Sequence, residues 1–140
     1  MEPMADFELV WNDETLKPEE FDGFFVGWEN PPPPEVAHKV FMNASEYCLA
    51  RVDGKLAGFI TVFTDGFYIA YIPLLEVRPE FQRRGIGKAL VRAAVERYKD
   101  YYKLDVLCDL RSVLFYQQLG FQWVSGATLV NYERQSTGRP

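Results

Sequence analysis

The sequence predicts a mixed α/β fold of the α+β kind: a mostly antiparallel sheet of six to seven strands with helices on both faces. Two turn signals, Asp53-Gly54 and Asp65-Gly66, lie between apolar runs and predict hairpins, which make the flanking strands antiparallel. A long amphipathic helix separates the predicted strands 67–77 and 104–108, so these two strands should run parallel through a right-handed crossover. The 140 residues suit a single domain, 1–140.

The predicted elements follow the order β-α-α-β-β-β-α-β-α-β-β. Their approximate bounds are strand 7–10, helices 15–25 and 34–43, strands 47–52, 56–64 and 67–77, helix 85–101, strand 104–108, helix 112–119 and a closing hairpin of strands 121–124 and 128–132. Pro73 lies inside strand 67–77 and predicts a break in its hydrogen-bond ladder. Residues 135–140 are predicted to form a disordered tail.

Composition excludes several classes of function. The formal net charge is −5, which argues against nucleic acid as a partner and suits a cationic substrate such as an amine. No apolar stretch reaches the ~20 residues that span a bilayer, so we expect no membrane association. The N-terminus carries no signal-peptide pattern, and Cys48 and Cys108 lie in apolar runs typical of core residues, which together predict a cytoplasmic protein. No cluster of metal-ligating residues is present, so no metal is expected.

The segment most informative about function is a glycine-containing basic loop that joins a strand to a helix: Gln82-Arg83-Arg84-Gly85-Ile86-Gly87-Lys88. The first backbone N–H groups of a helix lack partners, and the helix dipole adds partial positive charge there. Glycine allows close approach of the backbone to an anion. The segment therefore predicts a site for a phosphate or pyrophosphate.

Two common phosphate loops do not fit this segment. The P-loop requires a Ser or Thr after Gly-Lys, but Ala89 follows Gly87-Lys88, and Gln82 stands where its first glycine would be. The dinucleotide fingerprint requires a third glycine, where this chain has Leu90.

Residues 82–87 match the Gln/Arg-x-x-Gly-x-Gly/Ala motif of the GNAT superfamily of N-acetyltransferases, and the chain resembles its small bacterial-type members. The likeness continues upstream through residues 75–81 and downstream through residues 109–121, which end in Phe115-Tyr116-Gln117-Gln118-Leu119-Gly120-Phe121. The resemblance covers roughly residues 56–123. It implies that the parallel pair is splayed at the centre of the sheet.

The resemblance also implies roles for individual residues. The loop from Gln82 would hold the diphosphate of coenzyme A on backbone amides, contributed by Arg83, Arg84, Gly85, Ile86, Gly87 and Lys88. The backbone of Leu75 and Val77 would pair with the pantetheine arm. Tyr116 matches the tyrosine that donates a proton to the leaving thiolate; the alternative is a core aromatic at the base of the last helix. Asp109 departs from the family, which often has Asn at this position.

The general base stays open at this stage. Glu76 alternates with Leu75 and Val77 and could face the substrate or pair with a surface arginine. Asp109 could act as the base or cap the helix that starts at Ser112. A water relay could also carry the proton.

The resemblance implies an acetyl-CoA-dependent N-acetyltransferase that acts on a primary amine of a small molecule by direct attack in a ternary complex. The alternatives are a protein lysine or N-terminal acetyltransferase and a non-catalytic acyl-CoA-binding module. Homodimers are common among similar proteins, so a second copy of the chain is an implied partner.

Overall fold

The computed structural model describes residues 6–139, which form six strands and three α-helices. The strands are β1 (Glu8–Trp11), β2 (Glu46–Val52), β3 (Lys55–Thr64), β4 (Ile69–Ile72), β5 (Leu75–Val77) and β6 (Lys103–Val106). The helices are α1 (Pro34–Met42), α2 (Ile86–Arg97) and α3 (Val113–Gln117). Three short 3₁₀ helices lie in the connections before them, and a fourth, Tyr132–Arg134, follows α3. None of these helices has the length and apolarity to cross a membrane.

The sheet has the strand order β1-β2-β3-β4-β6, and β5 also pairs with β3. All pairings are antiparallel except that of β4 with β6, which is parallel, with Ile69 opposite Lys103 and Ile72 opposite Val106. The predicted fold class is therefore confirmed, including the single parallel pair joined through α2.

Each face of the sheet carries its own apolar core. On one face α1 buries Ala37 and Phe41 against aromatic residues of the segment before it and against Phe59 of β3. On the other face α2 buries Ile86, Leu90, Val91 and Ala94, and Tyr116 of α3 joins the same cluster. Alternate side chains of β2 and β3 supply the two cores, because neighbouring residues of a strand point to opposite faces.

The predicted helix 15–25 is wrong. Only Pro18–Phe21 forms a short 3₁₀ helix. Gly23 has φ +87° and Phe25 has φ +62°, both in the left-handed region that ends a right-handed helix. The apolar side chains that suggested helical periodicity are nevertheless buried in the core around Phe59.

The predicted closing hairpin, strands 121–124 and 128–132, is also wrong for this chain on its own. Residues 122–131 lie in no strand or helix and are exposed. Leu129 is fully exposed, so no second layer covers the apolar side chains that suggested strands. The helix predicted over 85–101 ends at Arg97, and the predicted tail lies partly in turns, with Gln135 N–H donating to Tyr132 O. Pro140 lies outside the described residues, and disorder of the tail stays a prediction.

Candidate active site

The long strand predicted over 67–77 is divided into β4 and β5 at Pro73, as the proline led us to expect. β4 pairs with both β3 and β6, whereas β5 pairs with β3 alone. Leu74 O accepts from Thr61 N–H at 3.0 Å, and Arg78 N–H donates to Ala57 O at 2.8 Å. Because hydrogen bonding alternates along an antiparallel strand, the main-chain groups of Leu75 and Val77 point away from β3 and toward β6.

The space between the end of β6 and β5 is a cavity of about 400 Å³. Its walls come from both strands, from the segment before α3 and from α3 itself, and include Leu75, Val106, Cys108, Asp109 and Tyr116. The sheet is therefore open where β5 and β6 diverge, and within residues 6–139 no strand pairs with the edge of β5 that faces the opening.

Tyr116 is 7% exposed and lines this cavity. Its ring makes edge-on contacts with Phe115 and Phe121. No hydrogen-bond partner for its hydroxyl occurs within residues 6–139. Burial, together with the nearby Cys108 sulfur, raises the pKa of Tyr116 to about 12, so the phenol stays protonated at neutral pH. The cavity thus contains an unpaired hydroxyl donor.

The basic loop reaches α2 through backbone conformations that lie in the left-handed region. Gly85 is the N-cap residue with φ +83°, and Arg83 has φ +67°. A β-carbon built on Gly85 would meet no atom within 4 Å, so glycine is needed here for its positive φ and not for lack of space. The space above the start of the helix is open.

The start of α2 offers free donors. Ala89 N–H donates to Gly85 O at 3.0 Å, which is the first bond of the helix. The N–H groups of Ile86, Gly87 and Lys88 have no acceptor in the described part of the chain, and no side chain caps them. Such a row of amides at a helix N-terminus suits an anion.

Two side chains of the loop already have partners. Gln82 Nε2 donates to Val77 O at 3.0 Å, which ties the loop to the free edge of β5. Arg84 lies 3.2 Å from an Asp6 carboxylate oxygen and stacks over the Phe81 ring. Both Arg84 and Asp6 are well exposed, so this ion pair is weak and the guanidinium can turn toward a ligand.

Glu76 lines a second cavity, of about 340 Å³, on the other side of β5 from Tyr116; Leu75 lines both. Trp28 and Val26 form part of its wall. Both Glu76 carboxylate oxygens accept from Phe25 N–H at 2.9 Å, and Oε2 accepts from Val26 N–H at 3.3 Å. Burial raises the pKa of Glu76 despite these bonds. Glu76 therefore holds the left-handed turn at Phe25 and does not pair with an arginine.

The structure brings Asp109 into the same cavity as Tyr116 and places Glu76 in the other cavity. The Asp109 side chain does not cap the following helix; its main-chain oxygen accepts from Ser112 N–H at 2.9 Å. Among the described residues, the one hydrogen bond of its carboxylate is a long contact of 3.4 Å from the exposed Arg111.

Several sequence-based ideas about other residues fail. Four aromatic residues, Phe24, Phe25, Trp28 and Tyr68, could form a substrate wall by their character alone, but only Trp28 lines a cavity. Phe24 and Phe25 are buried in the core, and Tyr68 stacks on Tyr102. Cys48 is buried as predicted, but Cys108 is exposed. The prediction that Cys108 lies in the core is wrong, because β6 ends at Val106 and Cys108 follows it in an exposed segment.

Arg78 is a site-supporting residue that the sequence did not single out. Its guanidinium is buried and donates to three main-chain oxygens at 2.6–2.7 Å: those of Leu56, Asp22 and Glu20. It also stacks on the Phe24 ring, 4.3 Å from the centroid. Arg78 thereby fixes the segment that leads to Phe25. An arginine directly after a strand carries no distinctive signal in one sequence.

Comparison with known proteins places this geometry among related chains. Residues 12–121 match the family model described as "Acetyltransferase (GNAT) family". An uncharacterized N-acetyltransferase of Gracilaria tenuistipitata var. liui is 31% identical over 101 residues, covering 69% of this chain and 56% of that protein. The chloroplastic GCN5-related N-acetyltransferase 2 of Arabidopsis thaliana is 37% identical over 70 residues, covering 49% of this chain and 27% of that protein. The chain thus spans only part of the length of these curated relatives.

A solved structure matches over nearly the whole chain. It comes from Deinococcus radiodurans R1 and is provisionally described as an acetyltransferase. It has a TM-score of 0.91 and 35% identity, and the match covers 100% of this chain and 98% of that one. The family model covers well over half of the chain and spans the basic loop, the divided strand and Tyr116. The chain therefore belongs to the GNAT family of acetyltransferases.

Proposed function

We propose that the protein transfers an acetyl group from acetyl-CoA to a primary amine of a small molecule, by direct attack of the amine in a ternary complex. One observation carries the proposal. The sheet opens beside β5, with the free amides of the α2 N-terminus on the loop tied to this strand and the unpaired hydroxyl of Tyr116 inside the opening. A long, flexible donor with a charged head and a reactive tail suits such a site.

The residues present fit acetyl-CoA, which supplies the acetyl thioester. The amides of residues 86–88, aided by the glycine at position 85, would bind the diphosphate. Arg83, Arg84 and Lys88 add positive charge in a chain whose net charge is −5. The main-chain groups of Leu75 and Val77 would pair with the amides of the pantetheine arm, as an added strand does. The Gln82 amide would then compete for, or share, the Val77 oxygen.

Tyr116 would stabilise the departing sulfur by donating a hydrogen bond. An unperturbed thiol has a pKa of about 8.5, well below the value of about 12 that burial gives Tyr116, so complete proton transfer from this phenol to a thiolate is uphill. Its contribution is electrostatic: a fixed donor in a poorly solvated cavity, aimed where negative charge develops.

Glu76 is the better placed of the two candidate bases. Its carboxylate lies in the cavity with Trp28. Oε1 retains a lone pair beyond the one used by Phe25 N–H, whereas Oε2 accepts from both Phe25 N–H and Val26 N–H. Burial raises its pKa above the usual value for a glutamate, which makes it a stronger base than a fully solvated carboxylate. The amine would enter here, and Glu76 would accept its proton directly or through a water molecule.

The size of this cavity supports a small acceptor. Its volume of about 340 Å³ falls at the lower end of the roughly 300–1,000 Å³ usual for small-molecule sites. The acidic balance of the chain favours approach of a cation. A lysine side chain or an N-terminal amine of a protein is the alternative acceptor, and a peptide series in the same assay distinguishes the two.

The test is release of free coenzyme A thiol from acetyl-CoA in the presence of amines, amino acids, aminoglycosides or peptides. Tyr116→Phe should lower kcat about 10²-fold with little change in KM for acetyl-CoA. Tyr98→Phe is the matched control, because that hydroxyl bonds Glu46 away from both cavities. Equal turnover of the two variants would remove Tyr116 from the mechanism.

Glu76→Gln separates the two roles of the carboxylate, since the amide keeps one oxygen to accept from Phe25 N–H. If Glu76 is the general base, Glu76→Gln should lower kcat, and the fall in kcat at low pH that the wild type shows should disappear. A rise in KM for the amine with an unchanged pH profile would instead leave Glu76 only as the residue that holds the turn. Asp109→Asn serves as the comparison carboxylate variant.

Direct attack requires that no acetyl group reaches the protein first. Mass spectrometry after incubation with acetyl-CoA alone should show an unmodified chain. An acetyl adduct on Cys108, which lines the cavity with Tyr116, that passes to an added amine would contradict the ternary mechanism. Tight acetyl-CoA binding without turnover of any acceptor would favour the acyl-CoA-binding module.

A further inference from the structure

The cavity that contains Glu76 has walls made mainly of apolar side chains. Nine residues line this cavity of about 340 Å³, and seven of them are apolar. Trp28, Leu74 and Leu75 are each half-buried, so each still presents ring or hydrocarbon surface that a ligand can cover. Removing such surface from water is favourable when the ligand is itself apolar. The walls therefore favour an acceptor with a hydrocarbon body.

The charge in this cavity is limited to one group. Among the described residues that line it, Glu76 alone carries a charged side chain. The other polar side chain, that of Gln82, is neutral and exposed, and its amide donates to Val77 O at 3.0 Å. One carboxylate can pair with one ammonium group. A second ammonium held among the same walls would lose hydration without gaining a charged partner, which is strongly unfavourable.

Trp28 is fixed by the same turn that Glu76 holds. Its main-chain N–H donates to Phe25 O at 3.3 Å, and the Trp28 and Phe25 rings meet edge-on with their centroids 4.9 Å apart. Phe25 N–H in turn donates to Glu76 Oε1 at 2.9 Å. The carboxylate and the indole ring are therefore held in one arrangement. An acceptor that binds both has its amine end and its body positioned together.

We propose that the acceptor is a primary monoamine on an apolar body, an alkylamine or an arylalkylamine, and that Trp28 selects this body. The inference rests on the proposed function, in which Glu76 accepts the proton of the attacking amine. The nitrogen lies at Glu76, and the chain or ring packs against Trp28 and the leucines. Diamines and polyhydroxylated amines are disfavoured, because their additional polar groups find no charged partner on these walls.

A comparison of butylamine with 1,4-diaminobutane in the thiol-release assay tests the charge argument. The two amines differ in one terminal ammonium, and the four-carbon chain is too short to carry it far from Glu76. The kcat/KM for butylamine should be at least about tenfold higher, although the diamine offers two reactive ends.

The outcomes of this comparison separate the inference from the proposed function. A kcat/KM for the diamine that lies within about tenfold of the butylamine value, or above it, overturns the inference and leaves acetyl transfer to amines intact. Failure of every amine to release thiol overturns both.

Substitution of Trp28 tests the apolar wall. Trp28→Ala should lower kcat/KM at least about tenfold for 2-phenylethylamine and less than about threefold for methylamine, which has no body to pack on the ring. Both values come from one preparation, so an unfolded fraction does not change their ratio. Phe67→Ala is the matched control, because Phe67 is 84% exposed at the β3–β4 turn and lines neither cavity, and it should keep the wild-type ratio. A wild-type ratio in Trp28→Ala overturns the assignment of Trp28.

Discussion

Replacement of Arg78 by methionine should strongly destabilise the fold, because the buried guanidinium satisfies three main-chain oxygens and stacks on Phe24. Methionine keeps most of the apolar length of the side chain but donates no hydrogen bond. The variant therefore isolates the loss of the guanidinium from the loss of packing volume.

The magnitude follows from the three acceptors. A buried acceptor left unsatisfied destabilises a protein by about 1–3 kcal/mol, and Leu56 is almost fully buried, which gives about 2 kcal/mol for its oxygen. Asp22 and Glu20 are partly solvated, so water can replace much of their bonds, and about 0.5 kcal/mol each is reasonable. Loss of the stacking contact adds about 1 kcal/mol. The total is about 4 kcal/mol, or a decrease in Tm of roughly 8–16 °C for a chain of this size.

Urea unfolding followed by circular dichroism measures this free energy. The slope m should stay constant, since the surface exposed on unfolding is nearly unchanged. Arg92→Met is the matched control, because Arg92 is exposed on α2 and should change stability by less than about 0.5 kcal/mol. A loss below about 1 kcal/mol for Arg78→Met would refute the argument that these bonds hold the segment before Phe25.

Two further predictions concern the loop and pH. Gly85→Ala should destabilise the fold by about 1 kcal/mol, because its φ is +83°, and weaken coenzyme A binding at least tenfold by calorimetry. Gly87→Ala is the control and should bind coenzyme A as the wild type does, because its β-carbon would lie 3.8 Å from its nearest neighbours. Equal affinities of the two variants for coenzyme A would contradict the assigned anion site. Arg97, with Tyr98 and Asn12, lowers the pKa of Glu46 from 4.5 to about 2. Its folded pKa is depressed, so its stabilisation is full above pH 4.5 and is lost as pH falls toward 2. Between pH 4.5 and 2, the free energy of unfolding of Glu46→Gln should fall by about 1–2 kcal/mol less than that of the wild type. An equal fall in both proteins would show that Glu46 is not the titrating group.

The sequence predicted what depends on local pattern. Pro73 marked the division of the long strand, the Asp53-Gly54 signal marked a real turn with both φ values positive, and the apolar stripe of α2 identified its buried face. The loop from Gln82 falls at the start of a helix with free amides, because its glycines and its position after a strand are local features.

What failed depends on contacts distant in sequence. The partners of Glu76 are 50 and 51 residues away, and Arg78 reaches carbonyls up to 58 residues away, so no short window could reveal either role. The apolar patterns of residues 15–25 and 121–132 predicted a helix and a hairpin that do not form. The first segment turns at Phe25, where φ is positive, and the described part of the chain provides no layer against which the second could pack. The spacing of apolar residues predicts which side chains form one face of an element, but it does not identify the element that packs against that face.

A crystal structure of the protein with coenzyme A tests the central claim most directly. The account predicts the diphosphate within hydrogen-bond distance of the amides of residues 86–88, the pantetheine amides paired with the main chain of Leu75 and Val77, and the sulfur beside the Tyr116 hydroxyl. Coenzyme A bound elsewhere on the surface, with β5 and β6 closed against each other, would contradict it.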